Sequence, residues 1–309
     1  MSNVILHIGL HKTATGTLQR QYFPACEHLR LFTTLEPEMK LFVHYVTRCD
    51  PIYFSGQKAL SYLESALDSQ NPNLLSNESF SGPPYAGVIE GGLDHRSPIL
   101  ANLSTVFPDA KVIIVIRRQD SLARSFYRQY LKSGGTRTIK RFYGLGETDH
   151  PPLMSLDRFK YYPYVKALAN SFPAGVLILT FEEFVQDQNS FLTKLTDFIG
   201  IKPPDIELKK ENTTTLGPLG MEITRIMNHL FRSLLNPSGV VPGLRAKRFG
   251  RPARISPVEF IHDKWPSGKN KISKGDIYKV ATQIFDMVQE NNQILDNHYK
   301  LRLKEYGYY

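Results

Sequence analysis

Four short apolar runs punctuate the first two hundred positions. Val4–Ile8, Asn73–Ser76, Val112–Ile116 and Val176–Thr180 read as strands. Val112 to Ile116 is β-branched throughout, the pattern of a strand covered on both faces of a parallel sheet. Helical patterns fill the intervals, at Gly16–Tyr22, Ser55–Leu67, Ser97–Phe107, Asp120–Lys132, Leu156–Phe172 and Ser190–Ile199. In the fifth, Leu156, Phe159, Val165, Leu168 and Phe172 share one face. Alternating strands and helices predict an α/β fold, a parallel sheet flanked by helices with right-handed crossovers. Ligands of such sheets bind beyond the carboxyl ends of the strands.

After Ile201 the pattern changes. Lys202-Pro203-Pro204 marks a boundary, and helices are expected at Leu219–Leu235 and Lys274–Asn297. Between these lies a basic, Gly- and Pro-broken stretch with Arg245, Lys247, Arg248, Arg251 and Arg254, read as a loop. Residues 1–309 are therefore taken as one domain, an α/β core over 1–200 and a helical C-terminal part with a basic loop over 201–309. A second irregular stretch, 133–154, follows the Asp120–Lys132 helix and could overhang the ligand edge, with Arg137, Lys140, Arg141 and Tyr143 available to an acceptor.

Composition narrows the classes only slightly. Hydrophobic residues make up 41% and charged residues 22% of the chain, ordinary values for a globular enzyme. The net charge of +9 favours anionic ligands, from nucleotides to acidic sugars, lipid surfaces or nucleic acid. Cys26 and Cys49 form no metal-ligand spacing, so no zinc site is expected. No apolar stretch approaches the roughly 18–20 residues of a membrane span, and the first apolar run is too short for a leader. A cytoplasmic location is the expectation.

Candidate chemistry gathers where strands end. Val4–Ile8 runs through Gly9 into His11, Lys12, Thr13, Ala14, Thr15, Gly16 and Thr17, after which a helix begins. Strand, turn and helix start in that order point backbone N–H groups at one spot. Small residues let a phosphate approach, and Lys12 adds a full charge. The nucleotide-triphosphate loop GxxxxGK[ST] is absent. At the end of Val112–Ile116 stands Arg117, with Ser125 eight positions on in the next helix. A guanidinium there can give a phosphate two parallel hydrogen bonds. Glu78 follows the Asn73–Ser76 strand directly.

The early lysine with its hydroxyl-rich loop resembles the 5′-phosphosulfate loop of sulfotransferases that use 3′-phosphoadenosine-5′-phosphosulfate (PAPS), although Ala14 stands where that loop usually has Gly and the Gly falls at position 16. The Arg117-x7-Ser125 spacing resembles the same family's 3′-phosphate grip. Glu78 resembles by position the general base of the glycan- and tyrosine-modifying branches, though Glu-Ser-Phe replaces their usual Glu-Lys-Ser/Thr. Neither Arg245–Arg254 nor Ser267–Lys271 matches the family's late Arg-Lys-Gly loop.

The resemblance implies a P-loop-like sulfotransferase with PAPS as co-substrate and no required metal. Lys12, Thr13, Ala14, Thr15, Gly16, Thr17, Arg117 and Ser125 would hold the nucleotide. Lys12, Glu78 and His11 would serve catalysis, with the base either Glu78 or a histidine. Of the other histidines, His7 reads as a core residue, and His44 and His95 are further candidates. The acceptor would be a small molecule or glycan bearing a hydroxyl or amine, with no specific nucleic-acid partner and no membrane span; oligomeric state stays open. Two alternatives stand beside this reading. A P-loop kinase would need a Gly-Lys-Ser/Thr triplet and a metal-binding acid where Arg117 stands. A non-catalytic binder of nucleic acid or acidic polysaccharide would leave the Lys12 and Arg117 motifs unexplained.

Overall fold

Five parallel strands form the sheet of the computed structural model: β1 (Val4–Gly9), β2 (Arg30–Phe32), β3 (Asn73–Asn77), β4 (Lys111–Ile116) and β5 (Val176–Thr180), in the order β2-β3-β1-β4-β5. The structure describes residues 3–83, 96–146, 151–209, 217–233, 235–242, 244–248, 251–255 and 275–309. The four expected strands are present, and β2 adds an edge strand too short to carry a pattern of its own.

Every residue of β1 is buried. Its side chains alternate between two cores, because successive positions of a strand point to opposite faces. Leu6 and Ile8 join Leu75, Val112, Ile114 and Ile116 in the larger core, while Ile5 joins Leu74, Ile113 and Val115 in the other. Helices cover both faces, which is why these strands read as unbroken apolar runs. The helices of the core are α1 (Thr15–Thr17), α2 (Pro37–Arg48), α3 (Gly56–Ser61), α4 (Arg96–Val106), α5 (Gln119–Lys132), α6 (Ile139–Tyr143), α7 (Tyr161–Ser171), α8 (Phe181–Gln186) and α9 (Gln188–Ile199). After them come α10 (Pro218–Asn228), α11 (Asp276–Asp286) and α12 (Gln289–Tyr299). Helix α2 was legible and not among the expected elements: Pro37 opens it, and Met39, Phe42, Val43 and Val46 form its buried stripe.

Several expected helices are cut short. The expected Leu156–Phe172 helix is a 3₁₀ turn over Leu156–Phe159 followed by α7, with Lys160 extended between them. Pro163 has no N–H to give residue 159, so a helix cannot run through unbroken. The expected Gly16–Tyr22 helix is α1 followed by one π-turn, Leu18–Tyr22. The expected Leu219–Leu235 helix stops at Asn228, because the Asn236 amide turns back to donate to the carbonyls of Asn228, His229 and Phe231. These are carbonyls a longer helix would have used. The expected Lys274–Asn297 helix is two helices, α11 and α12, meeting at Met287–Val288.

The basic stretch 245–254 is a correction. It is a two-stranded antiparallel hairpin, β6 (Leu244–Arg248) and β7 (Arg251–Ile255), with Arg245 paired to Arg254. Gly and Pro signalled a loop, whereas 244–248 and 251–255 pair as strands, with Pro252 inside β7 opposite Lys247. The segment Ser267–Lys271 lies outside the described residues.

Candidate active site

The three strand ends singled out in the sequence are neighbours. β1 lies between β3 and β4, with Ile8 level with Asn77 on one side and Ile114 on the other. The chain leaves β1 for β2 and β3 on one flank and takes up β4 and β5 on the other, so the sheet's switch point falls here. The Lys12 loop, Glu78 and Arg117 all emerge at this edge.

The loop after β1 is wound tightly by residues that carry side chains. Lys12 (φ 69°) and Ala14 (φ 66°) both adopt the left-handed conformation. Position 14, where the resembled loop has Gly, therefore has the backbone for which Gly is suited. Thr13 is buried and its hydroxyl donates to the Leu10 carbonyl. Thr15 is buried under Gly9, and its Oγ1 meets no hydrogen-bond partner. Gly16 lies under the Arg20 guanidinium, which a Cβ there would meet at 2.8 Å.

Lys12 Nζ donates to Gln129 Oε1 at 2.8 Å, so the ammonium reaches across to the last turn of α5. Although its side chain borders the open side of the cleft, loss of surrounding water pushes the Lys12 pKa down. Lys132, Arg128 and Arg117 push the same way, and Glu78 opposes them. Arg117 is held on three sides. Its Nε donates to Ser121 Oγ at 2.8 Å, its Nη1 donates to the Lys12 carbonyl at 2.8 Å, and its guanidinium lies 4.3 Å over the Phe181 ring. Ser125 sits one turn beyond Ser121 on the same face of α5. The hydroxyl that meets Arg117 in this structure is that of Ser121, four residues from the serine the sequence motif singles out.

Glu78 and His11 form a pair. His11 Nδ1 lies 2.9 Å from Glu78 Oε2, and His11 Nε2 lies 3.2 Å from the Gly82 carbonyl. Both ring nitrogens thus face acceptors. Burial pushes the Glu78 carboxyl up, but the hydrogen bond and charge of His11, with Lys12 behind them, outweigh it and hold Glu78 below its ordinary value. His7 is the core residue the pattern suggested: fully buried, bonded to Ser76 Oγ at 2.7 Å, and pushed down to about 4 by burial. His44 is exposed on α2, and His95 lies outside the described residues.

The described part of 133–154 contains α6 and offers less than expected. Tyr143 is buried, with its hydroxyl donating to the Ala123 carbonyl, so it cannot meet an acceptor. Arg137 donates to the Pro151 carbonyl and Lys140 pairs with Asp276 at 3.5 Å. Gln129, Arg128 and Lys132 were missed as site neighbours; in sequence they look like the polar side of a helix, and only the fold brings them to Lys12. Arg20, over Gly16, was missed as well. A separate cavity of about 500 Å³, lined by Leu60, Leu67 and Phe107, lies at the opposite end of β1 and holds none of the candidate residues. Among the described residues no helix is long and apolar enough to cross a membrane.

Residues 94–205 match the family model of the sulfotransferase family. No curated protein sequence matches the chain. Similar solved structures include a sulfotransferase from Alicyclobacillus acidocaldarius, 18% identical over 68% of this chain and 87% of that one, with a TM-score of 0.45. A mouse sulfotransferase complexed with PAP is 13% identical over 94% of this chain and 86% of that one, with a TM-score of 0.41. The sulfotransferase domain from the curacin biosynthetic pathway is 13% identical over 93% of this chain and 98% of that one, with a TM-score of 0.42.

Proposed function

We propose that this chain, whose residues 94–205 match the family model of the sulfotransferase family, transfers the sulfuryl group of PAPS to a hydroxyl or amine of a small-molecule or glycan acceptor and releases adenosine 3′,5′-bisphosphate. The observation that carries this reading is the Arg117–Lys12 bond. Two motifs 105 residues apart in sequence are tied at one sheet edge by a 2.8 Å contact from the Arg117 guanidinium to the Lys12 carbonyl. A nucleotide with phosphates at both its 3′ and 5′ positions calls for two such cationic grips side by side.

PAPS would supply an electrophilic sulfur on a good leaving group; the remaining tasks fall to the protein. Sulfuryl transfer resembles phosphoryl transfer in relying on positioning and charge stabilisation. Lys12 and the backbone N–H groups of Thr13 to Thr17, including those of Ala14, Thr15 and Gly16, would hold the 5′-phosphate side. Lys12 would meet the negative charge that grows on the leaving oxygen. Its depressed pKa fits a cation that gains stability when an anion arrives. Arg117 and Ser125 would hold the 3′-phosphate. To reach it, Arg117 keeps one face on Phe181 and exchanges its Ser121 contact.

Glu78 would take the acceptor's proton, and His11 would position it. Both His11 nitrogens are engaged, at 2.9 Å and 3.2 Å, whereas Glu78 uses one oxygen for His11 and retains the other. The depressed carboxyl is ionised, and so ready to accept, at neutral pH.

The test is a calorimetric titration with adenosine 3′,5′-bisphosphate and adenosine 5′-phosphate, followed by a labelled-PAPS acceptor screen. The wild type should prefer the bisphosphate. Arg117→Ala should lose about 2 kcal/mol, roughly thirtyfold, for the bisphosphate and little for the monophosphate, the loss expected of a charged hydrogen-bond donor. Equal losses would remove Arg117 from the 3′-phosphate.

A further inference from the structure

Helix α5 carries a row of polar side chains, Ser121, Arg124, Ser125 and Arg128, at the spacing of one helix face, and Ser121 on it meets Arg117. The carboxylates around it are engaged elsewhere. Asp120 is committed to Arg118 at 2.7 Å and Arg124 at 3.0 Å. Glu182 accepts from the Arg118 backbone N–H and from the Tyr308 hydroxyl, and Glu78 is committed to His11. Among the described residues, no carboxylate forms a salt bridge with Arg117 or Arg128.

Arg117 at least has Ser121, the Lys12 carbonyl and the Phe181 ring. Arg128 has less. Its Nε is buried without a hydrogen-bond partner, and burial together with the charges of Arg117 and Arg124 pushes its pKa down, against a smaller opposing pull from Tyr278. A buried donor left unmade destabilises the fold, more when the group is charged, and like charges in one place add to that cost. A group from outside the chain that accepted from this guanidinium would remove that cost. The completing group must be anionic, must lie between Arg128 and Arg117, and must accept several hydrogen bonds. A phosphate monoester does all three.

We infer that Arg128 is a second guanidinium on the phosphate that Arg117 reads, so that the 3′-phosphate of the nucleotide sits between two arginines on the α5 face with Ser125 beside it. This rests on the proposed assignment of Arg117. It adds a ligand that the Arg117-x7-Ser125 spacing does not contain. It also gives Arg128 a function opposed to stability: the residue burdens the empty protein and is satisfied by the nucleotide.

That opposition is the test. Arg128→Met keeps the length of the side chain and removes its charge. Without ligand, its melting temperature should rise by about 2 °C. Its affinity for adenosine 3′,5′-bisphosphate should fall about thirtyfold, and that for adenosine 5′-phosphate less than threefold. Arg128→Lys, which keeps the charge without the fork, should fall between on the bisphosphate arm. A lower melting temperature in the ligand-free Met variant would make Arg128 a structural residue and overturn the inference. So would equal loss on both nucleotides. A wild type that discriminates while Arg128→Met discriminates equally well sinks Arg128 alone; a wild type that shows no preference sinks the assignment of Arg117 and this one with it.

Discussion

Replacing Gly9 by alanine tests how tightly the strand end and the loop are packed. Gly9 is the last residue of β1, paired to β4 at Val115, and β3 hems the strand in on its other side. A Cβ at Gly9 would lie 2.6 Å from Thr15 Oγ1, 2.9 Å from Thr15 Cγ2 and 3.3 Å from Glu78 Cγ. The first two distances are shorter than any ordinary contact, so Thr15 must move. Its room is small: Thr15 is buried, and its carbonyl accepts from the Leu18 N–H. Overpacking of this kind costs about 1–3 kcal/mol, which for a chain of this length lowers the melting temperature by roughly 2–5 °C. The strain also has an address. Thr15→Ala removes both offending atoms, so Gly9→Ala in that background should recover about 1 kcal/mol or more of the single-mutant loss. Differential scanning fluorimetry on the four proteins of the cycle reads this directly. Additive effects within about 0.5 kcal/mol would mean that Gly9 is not packed against Thr15, and the described floor of the loop would be wrong.

Other outcomes follow from the same cleft. Ala14→Gly should raise the urea midpoint, because an L-residue in the left-handed region costs about 1–2 kcal/mol and Gly's extra chain entropy returns only part of it; a lower midpoint would refute the strain at position 14. Glu78→Gln should cut turnover about a hundredfold or more while sparing bisphosphate affinity, and normal turnover would move the base elsewhere. The depressed Glu78 carboxyl also sets a pH dependence. Its stabilising contribution is complete above the ordinary carboxylate range, about 4.3, and is lost as pH falls through the lower folded value. Urea titrations between neutral pH and pH 3 should therefore show a shallower acid loss for the Gln variant, and identical acid limbs would refute the His11–Glu78 pair.

Much of the fold could be read along the chain, for a physical reason. β-branched runs such as Val112–Ile116 survive only where both faces are covered, so apolar continuity already implied a parallel sheet with helices on each side. What went wrong went wrong at ends and breaks. Pro163 and the Asn236 amide cut helices that periodicity alone would prolong. The Gly and Pro residues of 245–254 signalled a loop without saying that 244–248 and 251–255 would pair as antiparallel strands.

The candidate site divides along a similar line. The chain by itself determined that a lysine and threonines follow one buried strand, an arginine another and a glutamate a third, because residue order and short-range periodicity are local properties. Only the tertiary structure decided which of them meet. Parallel pairing of β1 with β3 and β4 set His11 against Glu78 and brought Arg117 to the Lys12 carbonyl. It gave Arg117 the hydroxyl of Ser121 and left Arg128 with a buried, unmatched Nε. Such partnerships depend on register and on the rotation of α5 about its axis, and no spacing within one segment encodes the direction in which a neighbouring segment points its charge.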